Sequence, residues 1–326
     1  MQTFTEEQRT LYRELYYKMC LVRCFEENIN ILYQKSLATG AMHLSVGEEG
    51  CSAGACTALE PGDKIVATHR GHGTMICKGA DIRRMVAELL AKRDGCCKGR
   101  AGSMHIMDAS VGVMGAQGIV GASIPIASGI ALAAKRKNMD YVTIAFCGDG
   151  SSNNGAFHEG VNMAAVLNLP VVFVCVNNGY AVTTRADYSI KAESIAARAA
   201  AYGIEGVKAD GTNVVEAYET VKKAADKARA GGGPTLVELT AYRRYGHFVR
   251  ELTNYRDKEE ERYWKEERDP IINHGKWLVE NGICEQKDLD DMMARAQGVI
   301  DDANEFAINS PQADWQEFVD DVYYTA

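Results

Sequence analysis

The sequence contains no CxxC pair, no Cys/His set at metal-ligand spacing, and no apolar run approaching the length of about 18 residues that spans a bilayer. Its first residues, MQTFTEEQRTLYRELYYK, are polar and helical in pattern, unlike a secretory signal. Basic residues are outnumbered, because 36 Lys and Arg stand against 44 Asp and Glu, for a formal net charge of -8. We therefore expect no zinc cluster, no membrane association and no nucleic-acid surface.

Ten cysteines are present, but they do not indicate a disulfide framework. The chain has 326 residues, of which 46% are hydrophobic, so it can bury a large core without cross-links. The cysteines are scattered through apolar segments. Most are expected to be reduced core thiols of a cytoplasmic protein.

Two apolar, β-branched segments, YVTIAF at 141–146 and VVFVCV at 171–176, are typical of parallel strands covered on both faces. Between them Phe157, Val161 and Ala164 recur at helical spacing. In a right-handed crossover both strands point the same way, so the groups that follow them emerge at one edge of the sheet. The pattern predicts an α/β fold in which a parallel sheet is flanked by helices.

Polar groups follow both of these strands. Asp149 lies in a GDG turn from Gly148 to Gly150, and Asn177 and Asn178 follow the second strand. Carboxylate and amide oxygens suit Mg²⁺, while glycines and a helix N-terminus favour an anion. The arrangement predicts a diphosphate bridged to the protein by Mg²⁺, although GDG or Asn-Asn-Gly alone is an ordinary turn or loop. The glycines do not complete GxGxxG and no GxxxxGK[ST] occurs, which argues against NAD and P-loop nucleotides.

A second polar group, THRGHG at 68–73, follows the predicted strand KIVAT. One arginine and two histidines at a strand exit favour an anion or carboxylate as their partner. The planar guanidinium of Arg70 suits phosphate oxygens, and a surface arginine is the alternative.

The remaining periodicities predict further elements. One or two helices are expected at 5–36, and a turn and helix from the segment at 42–50 through about Leu59. Further helices are expected at 81–92 with Asp81 as cap, about 121–137, near 191–201, 213–230 and 258–268, with two more in 270–308. Strands are expected at 205–209 and 235–242, and residues 93–114 are expected to form a long glycine-containing loop. We divide the chain into an α/β domain at 1–260 and a helical C-terminal extension at 261–326. In that extension Trp315, Phe318, Val322, Tyr323 and Tyr324 are apolar enough to dock on a subunit.

These segments resemble the α subunit of the two-subunit E1 component of 2-oxo acid and acetoin dehydrogenase complexes, which are thiamine-diphosphate enzymes. GDG followed after 26 residues by NN is that group's diphosphate-binding signature. The other shared segments are MHLSVGEEG (42–50), THRGHG (68–73), KGRAGSMHI (98–106), GIVGASIPIASGIA (118–131) and YRRYGHF (242–248). The resemblance implies a thiamin-diphosphate-binding fold, thiamine diphosphate and Mg²⁺ as cofactors, and a small carbonyl substrate. Acetoin is favoured, and pyruvate is the alternative.

The resemblance also implies roles for single residues. The side chains of Asp149 and Asn178 and the backbone carbonyl of Tyr180 would hold Mg²⁺. His247, on a mobile loop, would reach the reacting centre, and His72 would lie near the mouth of the active site, where a structural hydrogen bond explains it equally well. The other residues implied in cofactor binding are His69, Arg70, Gly118, Val120, Gly148, Gly150 and Ser151, together with His247.

Three positions depart from the family pattern. His69 stands where the pyruvate enzymes have tyrosine, so the resemblance does not determine whether it contacts the diphosphate. Tyr245 replaces a histidine, so the resemblance does not determine its contacts with substrate. Phe248 replaces the serine that is phosphorylated in mitochondrial members, so no such kinase switch is expected.

The glutamate that activates the cofactor belongs to the β chain in this family. Glu48 and Glu49 are the less favoured internal candidates. We therefore expect an α chain that is inactive alone, forms an α2β2 heterotetramer with an E1 β subunit and serves a lipoyl-bearing E2. Two further hypotheses stay open at this point: a non-catalytic cofactor-binding subunit, and a thiamine enzyme outside dehydrogenase complexes.

Overall fold

The computed structural model describes residues 3–322, so Tyr323 and Tyr324 of the predicted docking tail lie outside the described residues. Within that range the strands are, in chain order, β1 (Lys64–Thr68), β2 (Val113–Gln117), β3 (Thr143–Gly148), β4 (Val171–Asn177), β5 (Tyr180–Ala181), β6 (Thr184–Arg185), β7 (Glu205–Asp210) and β8 (Thr235–Thr240). Six of them form one sheet in the order β2-β1-β3-β4-β8-β7, with every pairing parallel. Strands β5 and β6 form a separate antiparallel hairpin.

Helices cover both faces of this sheet. They are α1 (Glu6–Gln34), α2 (Glu49–Thr57), α3 (His72–Lys78), α4 (Ile82–Leu89), α5 (Ser123–Lys137), α6 (Gly155–Val166), α7 (Ala186–Ser189), α8 (Val214–Arg229), α9 (Lys258–Glu266), α10 (Pro270–Glu280), α11 (Gln286–Asn309) and α12 (Trp315–Val322). None of the helices within residues 3–322 is both long and apolar enough to cross a membrane. The predicted α/β class with a helical C-terminal region is confirmed.

The alternation of side chains along β4 explains why its sequence is apolar throughout. Val172 and Val174 belong to the larger core, which includes residues of α1, α2, α8 and α11, whereas Phe173 and Cys175 belong to a second core under α5 and α6. Successive residues of a strand point to opposite faces, so a strand covered by helices on both sides needs apolar residues at every position.

The cap of α4 was readable from the sequence because capping is local. The side chain of Asp81 accepts hydrogen bonds from the backbone N–H groups of Arg83 and Arg84 at 2.9 and 3.4 Å, as its predicted cap role requires. Asp269 caps α10 in the same way, with Pro270 at the first helical position.

Two predicted elements were wrong. Strand β2 begins inside the segment 93–114 that was expected to be a loop, because a five-residue strand containing Gly115 has no apolar run to indicate it. Residues Ala196–Tyr202 form a 3₁₀ helix, which starts later than the helix predicted near 191–201. Its first turn is held by the side chain of Glu238 on β8, which accepts a hydrogen bond from the N–H of Ala196 at 3.0 Å. That contact is invisible to local sequence patterns.

The C-terminal helices pack on the start of the chain. Arg13 on α1 donates to the carbonyl of Ile283 at 2.9 Å, and Asn28 on α1 pairs with Asn304 on α11 through two hydrogen bonds of 2.9 Å. The boundary proposed at residue 260 remains a prediction.

Helices α2 and α8 cross closely at Gly54. A Cβ atom there would lie 2.7 Å from the Cβ of Ala217 and 2.8 Å from the backbone nitrogen of Tyr218. We expect Gly54→Ala to lower the free energy of unfolding by about 1–3 kcal/mol, measured by urea denaturation, because the two helices must separate. Gly129→Ala on α5 is the matched control: nothing lies within 4 Å of its Cβ, so helix propensity should stabilise it by about 0.5–1 kcal/mol. Equal unfolding midpoints for the two variants would contradict the close crossing.

Candidate functional site

A cavity lies at the carboxyl edge of the sheet, where β1, β3 and β4 end. Its lining includes all the predicted site residues except Gly118 and His72. Strands β3 and β4 are direct neighbours, with Gly148 opposite Val176, so the residues after each strand emerge side by side. The lining residues that the sequence predicted are His69, Arg70, Val120, Gly148, Asp149, Gly150, Ser151, Asn178, Tyr180 and His247.

Asp149 is a buried carboxylate that lacks full compensation. Only 2% of the residue is exposed, and its Oδ2 atom has no hydrogen-bond partner among the described residues. Burial raises the pKa of its carboxyl to about 6, although backbone N–H groups and the Arg243 guanidinium oppose the rise. A buried oxygen left without a donor favours a cation as its partner.

Asn178 is oriented by a second buried acid. Its Nδ2 donates to Oε1 of Glu48 at 2.7 Å, which leaves its Oδ1 as acceptor for the Tyr180 N–H at 3.3 Å. Burial raises the pKa of Glu48 to about 7, against the opposing charge of Arg70. Of the two glutamates considered from the sequence, Glu48 lines the cavity, whereas Glu49 does not, and its carboxylate is paired with Arg23 at 2.5 Å.

Arg243 lies in the wall of the cavity, and sequence reasoning gave it no role. It is 1% exposed and donates to the carbonyls of Tyr180 and Val182 at 3.1 and 2.8 Å and to the hydroxyl of Tyr255 at 3.0 Å. The Tyr180 carbonyl, a predicted metal ligand, thus uses one lone pair on Arg243 and keeps the other. The sequence could have indicated a role for Arg243 through its position just after β8, because Thr240 of β8 lies opposite Asn177 of β4.

Arg70 joins the two loops that enclose the cavity. Its guanidinium donates to the carbonyls of Leu44 at 2.5 Å and His247 at 3.0 Å and lies 3.8 Å from Glu48. Burial lowers the pKa of Arg70 to about 10, which leaves it protonated at neutral pH. With Arg243 it makes this wall of the cavity attractive to an anion.

Three histidines lie together beside Arg70. The ring centroids of His43 and His69 are 4.7 Å apart, those of His43 and His247 4.8 Å, and those of His69 and His247 5.5 Å. Burial, and then the charge of Arg70, lowers their pKa values to about 3 for His43, about 2 for His69 and about 4 for His247. All three rings are therefore neutral at neutral pH. His43 belongs to the segment MHLSVGEEG, but the sequence alone assigned it no role.

Comparison with known proteins identifies the family of this chain. Residues 17–316 match the model of the dehydrogenase E1 component. The chain belongs to the dehydrogenase E1 component family. The relationship recognised from the sequence is thus confirmed.

Several E1 relatives are similar over nearly their whole length. The α subunit of acetoin:2,6-dichlorophenolindophenol oxidoreductase from Bacillus subtilis is 43% identical over 317 residues, which cover 97% of this chain and 94% of the relative. The subunit of the same name from Cupriavidus necator is 41% identical over 309 residues, covering 95% and 93%. The pyruvate dehydrogenase E1 component subunit alpha of Rhizobium meliloti is 33% identical over 317 residues, covering 97% and 90%.

Membership of the E1 family implies thiamine diphosphate as cofactor and a β chain as partner. The residues of the cavity fit such a group, because Arg70 and Arg243 suit a diphosphate and the unpaired oxygen of Asp149 suits a cation bridging to it. Gly150 is also required for this shape, since a Cβ there would lie 2.8 Å from the Cβ of Ala181.

Two predicted site residues of this E1 chain lie outside the lining of the cavity. His72 is fully buried: its Nδ1 is 3.1 Å from Oε2 of Glu26, and its Nε2 is 2.9 Å from Oγ of Ser103. His72 thereby links α1 to the glycine-containing loop. These contacts are the structural hydrogen bonds that were the alternative to a catalytic role for His72. Gly118 packs against His105, whose ring a Cβ at Gly118 would approach to 2.9 Å.

Proposed function

We propose that this E1 chain is the α subunit of an acetoin dehydrogenase that requires thiamine diphosphate and Mg²⁺ and passes the acyl group of a small carbonyl substrate to a lipoyl-bearing E2. The observation that carries the proposal is the buried carboxylate of Asp149, whose Oδ2 has no hydrogen-bond partner among residues 3–322 and which lies with Asn178 at the exits of two neighbouring parallel strands. The choice of acetoin rests on the names of the relatives that are 43% and 41% identical.

In this proposal the metal ion is held by oxygen atoms. They are the carboxylate of Asp149, the side-chain carbonyl of Asn178 and the backbone carbonyl of Tyr180, all at the same edge of the sheet. Oxygen ligands of this type, completed by phosphate oxygens, are what Mg²⁺ prefers. Glu48 orients the amide of Asn178 and so sets which of its atoms faces the ion.

The diphosphate would lie against the cationic wall of the cavity. Arg70, Arg243, His69 and His247 would face its oxygens, and the backbone N–H groups of Gly148, Gly150 and Ser151 would meet it from β3. Val120 and Gly118 would lie against the cofactor rings. When bound, thiamine diphosphate supplies a nucleophilic carbanion and a ring that accepts electrons.

His247 is our candidate for proton transfer. Its ring is neutral at neutral pH and lines the cavity, so an unprotonated nitrogen is available to accept the hydroxyl proton of acetoin. For His72 we propose positioning, because its contacts with Glu26 and Ser103 connect two segments next to the cavity.

A partner chain is part of the proposal. Val120, in the lining of the cavity, and its neighbour Ile119 are 45% and 74% exposed, which suits burial by another subunit. We propose that the β chain covers this region in an α2β2 heterotetramer and supplies the glutamate that activates the cofactor.

The test compares the purified α chain with the reconstituted pair. We expect no turnover by the α chain alone and turnover of acetoin, read with an electron-accepting dye, once the β product of the neighbouring gene is added. With both chains present, kcat/KM for acetoin should exceed that for pyruvate by about tenfold or more. Turnover by the α chain without a partner would overturn the subunit proposal.

A pyruvate dehydrogenase is the second candidate, because the Rhizobium meliloti relative of that name is 33% identical over 97% of this chain. A preference for pyruvate in the same assay would select it. Cofactor binding without turnover of either substrate, with a β chain present, would instead favour a non-catalytic subunit.

Binding of Mg²⁺ and cofactor should weaken in acid. Asp149 must be ionised to bind the metal and has a pKa of about 6 in the free chain, so binding releases a proton below that pH. We expect the apparent affinity to fall about tenfold per pH unit below pH 6 and to level off above it, measured by calorimetry.

Glu48→Gln separates this effect from the titration of Glu48, since the glutamine oxygen can still accept the hydrogen bond from Asn178. The variant should keep the loss of affinity below pH 6. An affinity that is constant from about pH 7.5 to about pH 5 would show that Asp149 is not a ligand.

A further inference from the structure

His43, His69 and His247 come from three separate parts of the chain. His43 precedes α2, His69 follows β1, and His247 lies in the loop after β8. One ring nitrogen from each lies within 4.8 Å of the others. His43 is 5% exposed, and its Nδ1 has no hydrogen-bond partner among residues 3–322. Three imidazole nitrogens this close together, one of them on a buried ring, form a set of ligands that a single metal ion can join.

The chemistry of the cluster matches a metal of the zinc class. Neutral imidazole is the form that binds metal, and the low pKa values of the three rings keep them in that form at neutral pH. Tetrahedral Zn²⁺ with bonds of about 2.0–2.1 Å requires its nitrogen ligands to lie about 3.3 Å apart. The ring nitrogens must therefore approach by about 1.5 Å at most when a metal ion binds.

The neighbouring charges determine the fourth ligand. Arg70 donates to the backbone carbonyl of His247, and Arg243 lies in the same wall, so a bare cation at the cluster would be repelled. An anionic oxygen removes that repulsion and completes the four ligands. The site therefore needs a metal and an anion together, whereas the oxygen ligands of Asp149 and Asn178 select a hard ion such as Mg²⁺.

We propose that His43, His69 and His247 form a second metal site in the cavity wall, which takes a divalent ion of the Zn²⁺ class with a phosphate-type oxygen as fourth ligand. Occupancy uses the ring nitrogen that His247 needs for proton transfer. The site thus gives a transition metal a direct means of inhibiting the enzyme.

The experiment titrates Co²⁺, a spectroscopic substitute for Zn²⁺, into the full-length chain without Mg²⁺ or thiamine diphosphate, in the presence and absence of inorganic pyrophosphate. We expect one four-coordinate Co²⁺ per chain, identified by its strong visible absorption, whereas Co²⁺ held by the oxygen ligands of Asp149 and Asn178 would be six-coordinate and absorb weakly. Pyrophosphate should tighten binding by about tenfold or more, because it supplies the anionic ligand. Competition with Zn²⁺ should abolish the absorption.

Variants identify the ligands. His43→Ala and His69→Ala should each weaken Co²⁺ binding by about 100-fold, whereas His158→Ala, which removes an exposed histidine on α6, should bind like the wild type. X-ray absorption of the wild-type Zn²⁺ complex should show three imidazoles and does not depend on whether a variant folds. Absence of four-coordinate absorption, unchanged binding by His43→Ala, or fewer than three imidazoles would each overturn the site. None of these results depends on turnover, so they are independent of the acetoin assay.

Discussion

Asp149→Asn is expected to weaken Mg²⁺-dependent binding of thiamine diphosphate strongly and, at the same time, to stabilise the free chain. The folded chain holds this carboxyl at a pKa of about 6, against an ordinary value of 3.8, mainly because of burial. Since ionisation is harder in the folded state, the carboxyl costs no stability below pH 3.8, and the cost grows to its full value above about pH 6. The shift corresponds to the order of 2–3 kcal/mol, which a neutral amide of the same shape avoids.

The measurement is thermal unfolding of the free chain at about pH 8 and about pH 4. The melting temperature of Asp149→Asn should exceed that of the wild type at about pH 8, and the difference should be smaller at about pH 4. Cofactor affinity, measured by calorimetry with Mg²⁺, should fall by about 100-fold or more because an ionic ligand is lost. Asp94→Asn, at an exposed position, is the control and should change neither quantity.

A variant at Asp149 that bound cofactor normally would refute the metal-ligand assignment. A variant that lost binding and also lost stability would refute the electrostatic argument. The two halves of the prediction thus fail separately. Together they describe a residue kept for function at the expense of stability.

Arg243→Met is expected to have the second large effect, on the loop that carries His247. Arg243 donates to the carbonyls of Tyr180 and Val182 and to the hydroxyl of Tyr255, so it ties that loop to the hairpin of β5 and β6. A methionine removes the donor to the buried Tyr180 carbonyl and the part-buried hydrogen bonds to Val182 and Tyr255, and we expect a loss of about 2–4 kcal/mol in the free energy of unfolding. The loop should also become sensitive to limited proteolysis.

Arg243→Lys is expected to recover part of the stability but not the affinity for diphosphate, since an ammonium group lacks the planar fork that reaches several acceptors at once. Arg262→Met, at an exposed position on α9, is the matched control for loss of an arginine. Proteolysis that is the same in Arg243→Met and Arg262→Met would show that Arg243 does not hold the loop.

The parts of the fold that local patterns specify were predictable. Strands β3 and β4 and the cap at Asp81 depend on residues close together in the sequence, so local patterns predicted them. Parallel pairing then placed Asp149 beside Asn178, because strands that point the same way end at the same edge.

Other features depended on contacts between distant segments. Strand β2 exists because Val113 lies opposite Ile65 on β1, and nothing within its five residues indicates it. Glu48 acquires its role only through Asn178, which is 130 residues away in the chain. The same holds for His72, whose partners Glu26 and Ser103 come from different segments of the chain.

The amino-acid sequence by itself determined the α/β class, the order of most elements and the polar groups at the strand ends, because these follow from short-range spacing. The tertiary structure alone decided that Arg243 occupies the cavity wall and that His43, His69 and His247 lie together without charge. Burial lowers the three pKa values most, and burial depends on how the loops pack. The charge of Arg70, which adjoins His69 in the sequence, reaches His43 and His247 only through the fold.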